Sequence, residues 1–219
     1  MNIHFNYDRN KDIWCLVNKG KSSNNSINPT KQYQELLDLY GSDPTEDNVT
    51  NFIDKYIVDN GIDIENKISQ FQSEWETISQ KFQKIAEEVF GVQLNQDINV
   101  YLTINSRCPY SIIDNSFYVS LTSKQAVVTV MHELWHFYTW YGLGANQEQK
   151  LGKQKYNDLK EALTVLINIE CLDILPVGVT DKGYLQHKDI RDTIIKYWNT
   201  NRDIKKLWSY MSDSDLVGV

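Results

Sequence analysis

His132-Glu133-Leu134-Trp135-His136 constrains this chain more than any other stretch. A helix turns about 100° per residue, so positions i and i+4 share a face roughly one turn apart. Two imidazoles placed there can both reach one metal ion. Neutral nitrogen donors that leave a coordination position open suit zinc. Glu133 projects beside the first histidine, where a carboxylate can take a proton from water held by the ion. The chain has 4 histidines, and half of them fall in this one turn.

The flanking residues support the helix. Val127, Val130, Leu134, Tyr138 and Tyr141 recur at spacings of three and four, an apolar stripe along one side. His132 and His136 fall on the other side with Thr129 and Trp140. The spacing predicts a helix anchored by one face that presents both histidines from the opposite one. Ser123 or Thr122 serves as N-cap and Gly142 as the stop. The plainer alternative is a helix whose histidines face solvent or are satisfied in a core.

Elsewhere the pattern mixes strands and helices. Residues 2–7 and 12–17 read as two strands of a hairpin, and 18–28 as a polar loop. A helix is expected from Pro29 to Tyr40, broken at Gly41-Ser42-Asp43-Pro44, and another over 45–60, stopped by Gly61. Ile68, Phe71, Trp75, Ile78, Phe82, Ile85 and Val89 alternate three and four apart, predicting a long helix. Its bulky aromatics favour packing within the chain over a coiled-coil seam. Residues 98–104 and 117–121 alternate as strands, and the second can offer an edge to an extended peptide. After the histidine helix come a polar loop over 143–153, a helix over 155–174 ended by Pro176, a loop to 186, and helices over 187–199 and 201–211.

Composition excludes some functions. With 41% hydrophobic residues the chain can bury a sizeable core. The net charge is −7 and no basic run exceeds two residues, which argues against nucleic acid or an anionic membrane as partner. No apolar stretch of about 18 residues predicts a membrane span, and Met1 to Arg9 lacks an apolar signal core. Cys15, Cys108 and Cys171 are odd in number and far apart, without a Cys-x-x-Cys pair. They fit reduced thiols, so the expected location is cytoplasmic.

A strand pair, a helix carrying His132-Glu133-Leu134-Trp135-His136, and a second helix with a buried acid resemble the zincin clan of metallopeptidases. The resemblance covers residues 97–175. It implies an α+β fold: a zincin-like domain with a small β-sheet, an active-site helix, a following glutamate helix and N-terminal helices. The expected organisation is one domain over 1–219, with 1–92 a hairpin and helical part and 93–219 the catalytic part. The implied activity is that of a zinc-dependent metallopeptidase acting on a peptide or protein substrate. One zinc ion per chain activates water and Glu133 is the general base. A zinc hydrolase with a non-peptide substrate, and a zincin-like binding or regulatory module, are the competing readings. The intact Glu133 argues against the second.

Two histidines do not hold a catalytic zinc alone. The metzincin pattern places glycine and a third histidine where this chain has Thr139 and Gly142. The gluzincin pattern takes a glutamate from the next helix and implies Glu161, 25 residues after His136. A short loop and a returning first helical turn fit that gap. A helix-start acid is its plainer alternative. Glu170 is the rival, with His187, Asp158 and Glu148 behind it. Thermolysin-type gluzincins also place an aspartate four residues after the glutamate, as partner to the first histidine. Here that position is Val165, so the partner must come from elsewhere, Asn168 or a backbone carbonyl. The resemblance further implies an oxyanion-stabilising group downstream of the glutamate helix. Tyr184 and His187 are the candidates, with Tyr156 and Tyr110 as alternatives.

Overall fold

The computed structural model describes residues 1–21 and 28–214. Most of the expected 18–28 loop therefore lies outside the described residues. The fold is α+β, mainly helical, with one small mixed sheet. The chain forms two compact units, Met1–Glu76 with Asn95–Val127, and Thr77–Leu94 with Val128–Val219.

The first unit contains the sheet, in the order β1-β2-β4-β3. Strand β1 (Asn2–Asn6) runs parallel to β2 (Asp97–Thr103), which sets Ile3 beside Ile98 and Phe5 beside Val100. β2 runs parallel to β4 (Ser116–Ser120), pairing Val100 with Phe117 and Leu102 with Val119. β3 (Tyr110–Ser111) closes antiparallel on the start of β4, which makes β4 an interior strand there. Leu16, Leu36, Ile53 and Phe71 of this unit are essentially inaccessible to solvent, and Phe71 meets Phe5 of β1 edge-on at 6.3 Å.

The expected hairpin does not form. Residues 12–17 belong to helix α1 (Arg9–Lys19). Asp8 caps it, accepting from Asn10 N at 2.8 Å and Lys11 N at 3.1 Å. The apolar run Ile13 to Val17 suits either a strand or a helix. The cap and the burial of Asp12, Cys15 and Leu16 on one face select the helix, and β1 finds its partner some 90 residues away instead. Helices α2 (Lys31–Tyr40) and α3 (Glu46–Asp59) lie where the sequence places them, the second with a Thr45–Asn48 capping box.

Helix α4 (Ile64–Phe90) buries Phe71 and Trp75 in the first unit and Phe82, Ala86 and Phe90 in the second. In the second unit Phe90 meets Trp135 edge-on at 5.1 Å and stacks on Tyr138 at 6.0 Å. Both partners belong to α5 (Ala126–Leu143). Gly142 does not stop this helix; it lies inside it. A Cβ on Gly142 would lie 2.9 Å from Phe90 Cβ, so the glycine admits the ring. The predicted one-sided anchoring of α5 also needs correction. Between Ala126 and Thr139 only Val127, Thr129 and His132 escape full burial. Such a helix sits in a core, not on its surface.

The expected loop after α5 holds a short helix, α6 (Gln147–Leu151). The expected 155–174 helix is broken into α7 (Lys153–Leu163), a 3-10 turn over Thr164–Leu166, and α8 (Ile167–Glu170). α9 (Lys188–Trp198) and α10 (Ile204–Ser212) close the unit. Tyr156 of α7 lies edge-on to Trp140 of α5 at 6.3 Å and to Trp208 of α10 at 6.0 Å. Among the described residues no helix is long and apolar enough to cross a membrane. Cys15 and Cys171 are buried thiols outside any disulfide.

Candidate metal site

The second unit brings His132, His136 and Glu161 together. His132 Nε2 and His136 Nε2 are 3.1 Å apart, with the rings nearly perpendicular. Glu161 gives one oxygen to each: Oε2 lies 3.4 Å from His132 Nε2 and Oε1 lies 3.4 Å from His136 Nε2. The ligand atoms of the three residues all lie within 4.8 Å of one another, so the group can hold a metal ion. Four ligands about 2.05 Å from a tetrahedral ion stand roughly 3.3 Å apart. The two imidazole nitrogens are close to that spacing, and each has one Glu161 oxygen at a similar distance.

Glu161 lies in the last turn of α7, not the first. A favourable helix N-terminus therefore cannot account for the acid. It is held by contacts instead: the two rings, and Lys160 Nζ at 3.0 Å from Oε1. Burial raises the proton affinity of the Glu161 carboxyl, but His136, His132 and Lys160 outweigh it and keep the group ionised.

Glu133 is buried at 6% exposure, and its Oε2 has no hydrogen-bond partner among the described residues. A buried, unpaired carboxylate oxygen is costly. Burial pushes the carboxyl up to about 7, against the lowering pull of His132. A base with that affinity is poised to take and release a proton near neutral pH. His136 is driven the other way by burial, down to about 4, which leaves its ring neutral and able to donate a lone pair. For His132, burial is outweighed by Asp181 and Glu161, and the ring is raised to about 10. The carboxylates that hold this proton are the same groups that would hold a cation.

Asp181 is the residue that sequence reasoning missed. Its Oδ1 lies 2.8 Å from His132 Nδ1, directing that ring's Nε2 toward Glu161 and His136. The rest of Asp181 is tied down. Thr164 Oγ1 donates to Oδ2 at 2.7 Å and Arg191 Nη1 at 3.0 Å, while Arg191 Nη2 donates to the Asp181 carbonyl at 2.7 Å. Asn168, proposed from sequence as the histidine's partner, acts through Asp181: it donates to the Asp181 carbonyl at 2.8 Å and accepts from its N–H at 2.7 Å. The 3-10 turn at Thr164 brings that hydroxyl to the aspartate.

Gly183 completes the support. Its φ is +59°, and a Cβ there would lie 2.3 Å from Arg191 Nη1. Arg191 reaches Asp181 only because residue 183 has no side chain.

The other expected residues lie in different networks. Glu170 is ion-paired with Arg202 and accepts from Trp198 Nε1 at 2.7 Å. His187 Nε2 lies 3.1 Å from Asp158 Oδ1, and half-exposed Tyr184 packs edge-on against the His187 ring. Asp158 precedes Glu161 by one turn of α7, so this pair adjoins the three-ligand group without belonging to it. Glu148 lies on α6, where its carbonyl accepts from Gly152 N.

Lys160 left a trace in the sequence that was not used: Tyr156, Lys160, Leu163 and Ile167 recur four, three and four apart, so the lysine shares an apolar stripe. Asp181 left none, because it sits in an irregular segment without periodicity. No protein-family model, curated protein or solved structure matches this chain.

Proposed function

We propose that this protein is a zinc-dependent peptidase with a zincin-like catalytic site: His132, His136 and Glu161 hold the ion, and Glu133 is the general base. The observation that carries the reading is the convergence of two imidazole nitrogens 3.1 Å apart and the Glu161 carboxylate, with one oxygen 3.4 Å from each ring, beside a buried Glu133 oxygen with no hydrogen-bond partner among the described residues. Two imidazole nitrogens and one carboxylate form the donor set of a catalytic zinc site that keeps a position open. Zinc bound there supplies a Lewis acid and lowers the pKa of water toward 7.

The chain's own groups supply the rest. Glu133 takes the proton of the attacking water at its carboxylate and returns it to the leaving amine. Its raised proton affinity suits both transfers. Asp181 fixes the His132 ring, so Nε2 stays aimed at the ion during the reaction. The buried surroundings of α5 keep bulk water from the carboxylate and strengthen each charge interaction.

The test measures metal content and activity together. Purified wild type should carry about one zinc per chain and cleave a peptide library. Glu133→Gln should keep the zinc and lose at least ~100-fold in cleavage, the scale of a general base. Wild type that neither carries nor takes up zinc would refute the reading. So would Glu133→Gln protein that cleaves peptides as well as wild type. Zinc-dependent hydrolysis confined to non-peptide esters or amides would keep the site and change the substrate class.

A further inference from the structure

Lys160 is a charged group of the cluster that touches a proposed ligand yet has no part in the proposed chemistry. It is 5% exposed, on the last turn of α7. Lysines usually extend their ammonium to water even when the stem is covered. This one turns back on its neighbour, with Nζ 3.0 Å from Glu161 Oε1. That oxygen also faces His136 Nε2 at 3.4 Å. The ammonium therefore sits on the same carboxylate that a metal would use. Its charge also acts on Glu133 and His136.

The balance of fixed charges gives this position a consequence. Three carboxylates, Glu133, Glu161 and Asp181, meet two fixed cations, Lys160 and Arg191. With a divalent ion added and both histidines neutral, the cluster carries one net positive charge. Without Lys160 it would be neutral. A site that must stabilise a developing oxyanion gains from the extra positive charge. The same charge opposes the ion's arrival, because two cations then share one carboxylate.

We propose that Lys160 sets the metal loading of this site: its ammonium competes with zinc for the charge of the Glu161 carboxylate, so zinc is held less tightly, and once bound is more electrophilic, than the three ligands alone would make it. The inference rests on the zinc reading above. It makes Lys160 a positioning and tuning residue, acting through Glu161. It also has a sign that a packing role lacks. Removing a side chain that merely supports a ligand weakens metal binding. Removing a competing cation strengthens it.

The experiment is a zinc titration against a chromophoric chelator, using full-length wild type, Lys160→Met, Lys160→Gln, Lys160→Arg and Glu161→Ala. Methionine keeps the length without the charge, and glutamine keeps a hydrogen-bond donor without the charge. Both should bind zinc ~10-fold to 100-fold more tightly than wild type. Arginine should stay within about threefold of wild type, and Glu161→Ala should bind far more weakly. In peptide cleavage the two neutral variants should lose kcat with little change in KM. If wild type binds zinc while a folded Lys160→Met or Lys160→Gln binds it equally or more weakly, the tuning role is overturned and the zinc site stands. If wild type and every variant fail to bind zinc, the zinc reading falls, and this inference with it.

Discussion

In the sheet-bearing unit the buried acid is Asp12, and neutral donors meet both of its oxygens. Thr103 Oγ1 donates to Oδ1 at 2.6 Å and Ile104 N at 3.0 Å, while Tyr7 OH donates to Oδ2 at 3.1 Å. In the helical unit buried Glu133 and Asp181 and partly buried Glu161 surround two histidines, and Glu133 Oε2 has no hydrogen bond among the described residues. The first arrangement ties α1 to the end of β2 and is complete as it stands. The second is a dense cluster of charge whose parts are oriented with care yet left unfinished. A fully satisfied buried acid is explained by the fold alone. An unsatisfied one beside two histidines and a second acid is what the proposed metal site requires.

The comparison can be broken by removing single groups. The largest effect is expected from His136→Ala, which takes one of three ligands. Zinc content should fall below about a tenth of wild type after dialysis, and peptide cleavage should fall to background. Full retention of zinc in that variant would mean that the helical unit's cluster is as self-sufficient as the Asp12 group.

Asp181→Asn should cost ~10-fold to 100-fold in zinc affinity, the scale of losing a ligand's hydrogen-bonding partner. Gly183→Ala should act in the same direction and less strongly, because its Cβ displaces Arg191, one of several holds on Asp181. A chelator titration reads both. Asp181→Asn protein with unchanged affinity would reduce the aspartate to a structural role like that of Asp12.

The smallest effect concerns Asp12 itself. Burial raises its carboxyl from 3.8 to about 6, against the hydrogen bonds from Thr103, Ile104 and Tyr7. A folded-state value above the unfolded one gives stability that is complete below about pH 4 and lost as pH rises through 6. Asp12→Asn has no such titration. Denaturant unfolding of wild type, minus that of Asp12→Asn, should fall by about 1–3 kcal/mol between pH 4 and 7. A flat difference would show that Asp12 titrates alike in the folded and unfolded states.

The positions legible in the sequence were those with a period or a cap. α3 announces itself through Thr45 and Gly61, and α4 through its aromatic spacing. β2 and β4 show period-two alternation. The His132–His136 pair is readable because both histidines lie on one helix, where spacing alone fixes direction. Glu161 was reachable by resemblance, although its place in the last turn of α7 was not. The misreading of 12–17 has a plain cause. A short apolar run fits strand and helix alike, and the Asp8 cap together with distant pairing partners decided between them. α5 was read as half-exposed because its stripe was counted on one side only, whereas Met131, Trp135 and Phe137 bury much of the remainder.

By itself the sequence determined two histidines and an acid on one helical turn, a mixed set of helices and strands, and a charge that disfavours nucleic acid. Local backbone geometry carries such information over a few residues. Only the tertiary structure decided that Glu161 closes on both rings, that Asp181 orients His132 from an irregular segment, that Arg191 reaches Asp181 past Gly183, and that Lys160 turns inward. Each of those links, except the last, joins residues more than one helical turn apart in sequence. Lys160 and Glu161 are neighbours, but helical spacing points their side chains about 100° apart. Their contact exists because burial denies the ammonium water and leaves the carboxylate as its partner.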